Sequence, residues 1–142
     1  MIEIFSELTP ELFAAYQELI PQLSHSLPGV SQEHAAEVLN QPGVYQLVYR
    51  QAPGEPIQGL LTLVTFSIPT GKRAWVEDVV VDSAARGHGA GKELVEAALA
   101  QAQKVGARTV DLTSRPSREA ANRLYRRVGF QPRETNVYRY EA

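Results

Sequence analysis

The chain of 142 residues contains no cysteine. That excludes disulfide staples, thiolate metal sites and a cysteine nucleophile together. It also lacks a surplus of either charge: 14 lysines and arginines stand against 16 aspartates and glutamates, a net charge of −2. So even a balance offers no general surface for nucleic acid. No apolar run approaches the ~20 residues of a membrane-spanning helix. Residues 1–7, MIEIFSE, lack the basic-then-apolar layout of a signal peptide. The expectation is a cytoplasmic protein with no metal, no nucleic-acid partner and no membrane partner.

What is present reads as one domain over residues 1–142, long enough to bury a core of its own. Residues 2–6 alternate as a short strand. Thr9-Pro10-Glu11 is a helix start, with a capping hydroxyl, proline at the first position and an acid in the first turn. Leu12, Tyr16, Leu19, Ile20 and Leu23 follow helical spacing, and Pro21 is expected to kink or end that helix. Residues 24–30 read as a loop. Ser31 caps a second short helix with Ala35, Ala36, Val38 and Leu39 inward. Residues 44–50, 57–68 and 73–81 are then three strands joined by Pro- and Gly-containing turns, an antiparallel meander.

The stretch from Trp75 to Leu99 organises the rest. An apolar strand runs into Arg86-Gly87-His88-Gly89-Ala90-Gly91, and a long amphipathic helix follows, burying Leu94, Val95, Ala98, Leu99 and Ala102. Helix N-termini present unpartnered N–H groups and the positive end of the helix dipole, and glycines let that backbone turn sharply against a phosphate. The bend is a phosphate cradle by chemistry. Its spacing fits neither common nucleotide loop. Gly91-Lys92 has arginine, not glycine, five positions before it, and Glu93 stands where a magnesium-binding hydroxyl is needed; a dinucleotide fingerprint needs glycine where Lys92 stands. Residues 108–113 form a further strand, parallel by its crossover connection. Ser117 is the expected cap of a last helix carrying Ala120, Ala121, Leu124, Tyr125 and Val128. Phe130 and residues 135–140 are expected to complete the sheet.

Arg86-x-x-Gly89-x-Gly91 after Val79-Val80-Val81-Asp82, followed by Ala121-Asn122-Arg123-Leu124-Tyr125-Arg126-Arg127-Val128-Gly129-Phe130, resembles the two motifs of the GNAT N-acetyltransferase superfamily in that order. The likeness extends to small bacterial members with a segment similar to TSRPSREAANRLY. It implies an α/β fold of about seven mixed strands and four helices around a β-α-β unit that binds CoA. It further implies acetyl-CoA as co-substrate, held by the backbone of Val79, Val80 and Val81 at the pantetheine arm. Arg86, Gly87, His88, Gly89, Ala90 and Gly91 would hold the pyrophosphate, with Lys92 adding charge. Asn122 would contact CoA, and Tyr125 would protonate the departing thiolate.

Direct transfer to an amine also needs a proton acceptor, since a lysine-like amine is protonated at pH 7. Some family members place a glutamate on the strand after the glycine helix. The matching position, near Thr113, offers no carboxylate. Glu77 is the favoured base and Asp78 the second, although strand alternation sends them to opposite faces unless a bulge intervenes. Arg118 stands where many members have a CoA-contacting asparagine, so that contact does not carry over. His25 lies in the loop where the family often shapes its acceptor site. The activity implied is transfer of an acetyl group to a primary amine, small-molecule or peptide, through a ternary complex. The alternative is a non-catalytic acyl-CoA-binding sensor of the same fold. Acidic pI gives some weight to a cationic acceptor, and a homodimer is compatible with the sequence.

Overall fold

The computed structural model describes residues 1–24, 26 and 29–142. His25 therefore lies outside the described residues. The order is β1 (Ile2–Phe5), α1 (Pro10–Leu23), α2 (Gln32–Asn40), β2 (Val44–Tyr49), β3 (Gly59–Ile68), β4 (Gly71–Val81), a 3-10 turn (Ser83–Ala85), α3 (Ala90–Lys104), β5 (Thr109–Asp111) and α4 (Glu119–Arg127). The five strands form one mixed sheet in sequence order, antiparallel from β1 to β4 and parallel between β4 and β5.

Alternation along the strands builds two cores. Leu47, Leu61, Leu63, Ala74 and Val76 face α3, where Leu94, Val95, Ala98 and Ala102 meet them, with Tyr125 of α4 at the margin. Val48, Leu60 and Val80 face the other way and pack on Leu12, Tyr16 and Leu19 of α1 and on Ala35 and Leu39 of α2. The expected caps form: Thr9 Oγ1 accepts from Leu12 N–H at 3.1 Å and Ser31 Oγ from His34 N–H at 3.0 Å.

A clamp joins β1, α1 and β2. The Arg50 guanidinium, 5% exposed, donates to both Glu11 oxygens at 2.9 and 2.7 Å and to the Glu55 carbonyl at 3.1 Å. Its Nε lies 2.6 Å from Glu3 as a close ion pair. The Met1 amino group donates to the Arg50 carbonyl at 2.5 Å.

Four expectations need correction. Among the described residues the sheet has five strands, not about seven: residues 131–142 form no strand, and Phe130 packs its ring edge against Tyr125 instead, centroids 5.9 Å apart. Pro21 does not end α1, which runs two residues further to Leu23. Ser117 is not the cap of α4. A turn from Arg115 to Arg118 delays the start, so Arg118 is the N-cap and makes no side-chain capping bond. The last strand is shorter than residues 108–113, ending at Asp111.

Candidate active site

Two departures from regular sheet geometry shape the middle of the molecule. The first is where β5 stops. It pairs with β4 only through Arg73–Thr109, Ala74–Val110 and Trp75–Asp111. Beyond Trp75, β4 continues for six residues, Val76 to Val81, with no strand on that side. An opening between the strands exposes backbone hydrogen-bonding groups of β4, the condition under which an extended ligand adds like a strand.

The second is a β-bulge. Leu60 pairs with Val80 and Thr62 with Glu77, so Asp78 and Val79 together oppose Leu61 alone. Asp78 has φ +49°, the only positive φ at a non-glycine residue among those described, in the left-handed region that aspartate and asparagine tolerate best. The extra residue resets the phase of the strand. Upstream, Ala74 and Val76 face the α3 core; downstream, Val79 and Val81 do, while Val80 joins the α1–α2 core. Strict alternation would have separated Glu77 from Asp78. With the bulge the Asp78 charge acts on both Glu77 and Tyr16 of α1, which places the two carboxylates together on the α1 side. Partial burial first, then the neighbouring Asp78 charge, raise the Glu77 carboxyl above the ordinary range.

A buried polar network lies beneath. Tyr16 donates to Gln46 Oε1 at 2.6 Å, and Thr62 donates to the same oxygen at 3.2 Å. Gln46 Nε2 donates to the carbonyls of Leu47 and Leu61, each at 3.2 Å. Leu61 is the residue facing the bulge, so the network braces the strand opposite it. Burial, with the Asp78 charge second, pushes the Tyr16 phenol well above its usual range, and it remains a neutral donor. In the sequence Tyr16 shows only helical spacing with Leu12 and Leu19, and nothing singles out Gln46. Only the adjacent carboxylates in an apolar strand hinted at the bulge.

At the end of β4 the Asp82 carboxylate accepts from Ala84 N–H at 3.1 Å and starts the 3-10 turn. The chain then passes Arg86, Gly87 and His88, all exposed, to Gly89 at the N-cap of α3. Gly87 at φ +92° and Gly89 at φ +77° both hold conformations that a side chain disfavours. Gly89 offers no capping side chain, and the first intrahelical bond runs from Glu93 N–H to its carbonyl. The N–H groups of Ala90, Gly91 and Lys92 thus precede the helical ladder. Gly91 serves another purpose: a Cβ there would lie 3.2 Å from Leu124 Cδ2, so it sets how closely α4 approaches α3.

Tyr125, 8% exposed, projects from α4 into the α3 core, and burial raises its phenol while the Arg118 guanidinium pulls weakly the other way. Asn122, one turn earlier, donates its amide to the Arg115 carbonyl at 2.9 Å and fixes the loop entering α4. Tyr125, Asn122, Trp75 and β5 line one wide cleft. Thus Val79, Val81 and Tyr125 share the α3-side core, Gly91 at the start of α3 meets α4 at Leu124, and Glu77 and Asp78 lie on the opposite, α1 side of the sheet. Among the described residues no cluster of three or more His, Asp or Glu is arranged to hold a metal ion, and no helix is long and apolar enough to cross a membrane.

A parallel β4–β5 pair that stops after Asp111, joined by a helix entered through a glycine turn, is the central unit of an acyl-CoA N-acyltransferase fold. The model of the acetyltransferase (GNAT) family matches residues 3–130, and the chain belongs to that family. No curated protein sequence matches it. Among solved structures it is similar to a candidate acetyltransferase from Agrobacterium tumefaciens str. C58, at 25% identity with 99% of each chain covered and a TM-score of 0.85. It is also similar in fold to an aminoglycoside acetyltransferase from an uncultured soil metagenomic sample, solved with sisomicin (22% identity, 100% and 95% covered, TM-score 0.85). A third likeness is to glucosamine-6-phosphate N-acetyltransferase from Arabidopsis thaliana (21% identity, 99% and 98% covered, TM-score 0.80).

Proposed function

We propose that the protein transfers the acetyl group of acetyl-CoA to a primary amine by direct attack in a ternary complex. The observation that carries this reading is the bulge that sets a raised Glu77 carboxyl on one side of the β4–β5 opening, with the buried Tyr125 on the α4 side. The residues present fit acetyl-CoA: an uncapped helix N-terminus with two left-handed glycines for the pyrophosphate, and six residues of free strand edge for the pantetheine arm. Arg86, His88 and Lys92 flank that turn, and Asn122 borders the same cleft.

Bound acetyl-CoA supplies an acyl group already activated as a thioester. Glu77, directly or through water, accepts the proton that the amine nitrogen must lose to form the new C–N bond. The raised carboxyl makes it a better base than an ordinary glutamate. A backbone N–H on the free edge of β4 donates to the carbonyl oxygen as negative charge develops there. Tyr125 gives its phenolic proton to sulfur as the C–S bond breaks. Asp78 keeps the entrance negative, and Tyr16 and Gln46 hold the bulge that positions both carboxylates.

The paired carboxylates favour a cationic amine: a polyamine, an amino sugar of the aminoglycoside type, or a lysine side chain. The similar proteins that act on aminoglycoside and glucosamine phosphate substrates support amine acceptors of this class. Thiol release from acetyl-CoA against a panel of such amines tests the reading. Amine-dependent release with acylated product is expected.

A further inference from the structure

Trp75 is the one tryptophan of the chain, and neither core contains it. It is half-buried and lines the cleft of about 1330 Å³ that Asn122 and Tyr125 also border. Strand alternation turns it away from the core residues Ala74 and Val76 and onto the same face of β4 as Glu77. Directly beside it stand Val64 on β3 and Asp111 on β5. Cross-strand neighbours share a face, so Asp111, Trp75 and Glu77 lie together on the α1 side of the sheet. Asp111 is half-buried in the same cleft and forms no ion pair among the described residues. Arg73, the next residue outward on this face, does not neutralise it. Its guanidinium donates to Thr70 Oγ1 at 3.0 Å and to the Lys72 carbonyl at 3.5 Å. Ser114, three residues beyond Asp111, lines the cleft with its hydroxyl buried and unbonded among the described residues, so the cleft keeps a polar group for what it binds.

We infer that Trp75 and Asp111 form the outer half of the acceptor site, and that the acceptor is an α,ω-diamine with four or five methylenes between its nitrogens. One nitrogen reacts at Glu77. The other stays an ammonium against Asp111, and the alkyl chain between them covers Trp75. The inference rests on the acetyltransferase reading for which end reacts. Bond by bond, the reacting nitrogen gains the acetyl carbon and gives its proton to Glu77, while the C–S bond breaks and CoA leaves as the thiol. The product is the monoacetyl diamine, which keeps one cation.

Spacing and charge select this class. Glu77 lies two residues along β4 from Trp75 and Asp111 one strand across, so with ~3.3 Å of rise per residue and ~4.8 Å between strands their backbones stand about 8 Å apart on the diagonal. With C–C bonds of ~1.5 Å, a chain of about four or five methylenes brings one nitrogen to each carboxylate. An indole suits what lies between: it buries apolar chain and attracts a nearby ammonium. A simple alkylamine would cover Trp75 yet leave Asp111 without a cation. A longer polyamine would carry its next ammonium outward to Arg73, a like charge that selects against it.

A single tryptophan makes the site its own reporter. With CoA present, which has no acetyl group to transfer, 1,5-diaminopentane is expected to change the Trp75 fluorescence saturably, and 1-aminopentane to bind at least about tenfold more weakly. Affinity by this signal, and kcat/KM with acetyl-CoA, are both expected to peak at four or five methylenes across diamines of increasing length. Asp111→Asn is expected to remove the advantage of the diamine over the monoamine. Asp111→Glu, whose carboxylate reaches one methylene further, is expected to keep that advantage and move the peak to a shorter diamine, a shift that a packing role does not produce. Equal affinity for diamine and monoamine, a flat length series, or a diamine advantage that survives Asp111→Asn would each overturn the inference. A saturable, length-dependent fluorescence change without acetylated product would leave the diamine site standing and overturn the acetyl-transfer reading. Acetylation of diamines and monoamines alike at every length would do the reverse.

Discussion

Tyr125 lies in the core with its ring edge on Phe130, and its burial keeps the phenol protonated beyond the ordinary tyrosine range. In the proposed mechanism this keeps a proton donor available to the leaving sulfur across the working pH. Tyr125→Phe keeps the ring and loses the proton. It is expected to lower turnover about 10²-fold or more, while acetyl-CoA still raises the melting temperature. Glu77 obeys the opposite sign. As the proposed base it must be deprotonated to act, so its raised carboxyl is expected to move the acid limb of the rate profile up in pH. Asp78→Asn removes one cause of that rise and suits the left-handed backbone at 78, so the acid limb is expected to move to lower pH. A pH–rate profile of the two proteins checks this; an unmoved limb removes Glu77 as base. Adjacent carboxylates in a valine-rich strand are visible in the sequence, but that they share a face is not. The phase reset depends on Leu61, more than fifteen residues away, and on the Tyr16–Gln46–Thr62 network behind it.

The glycine turn and α4 act as one element because Gly91 lets Leu124 approach. Gly91→Val is expected to cost about 1–3 kcal/mol through overpacking, read as a lower denaturation midpoint, with the shift produced by acetyl-CoA reduced as α4 is pushed off α3. Leu124→Ala in that background should recover part of the loss. Most elements were legible from local chemistry: Thr9 and Ser31 as caps, Gly106 after α3, the hairpin turn at Pro69-Thr70. Ser117 was legible as a cap by type, yet the Arg115–Arg118 turn shifts the helix start past it. Residues 135–140, expected to complete the sheet, form no strand, so local strand-forming residues alone do not secure a place in it.

Stability of the whole molecule draws on the Arg50 clamp, which ties the end of β2 to Glu3, Glu11 and the Glu55 carbonyl. Its hydrogen bonds hold the Glu11 carboxyl below its ordinary value. That contribution is complete above the unfolded value of 4.5 and is lost as pH falls through the lower folded value. Arg50→Met is expected to cost about 1.5–3 kcal/mol at pH 7 by removing charge-assisted hydrogen bonds to half-exposed carboxylates. It should also flatten the loss of stability below pH 4.5, checked by denaturant unfolding at both pH values. In the proposed mechanism the amine approaches from the α1–α2 side of the sheet and the thiol leaves on the α3–α4 side. The most direct test of that arrangement is thiol release from acetyl-CoA, with mass analysis of the amine, across polyamines, aminoglycosides and lysine peptides. Stoichiometric CoA release and one acetyl group on the amine nitrogen are expected. Stabilisation by acetyl-CoA with no product from any of these amines would contradict it.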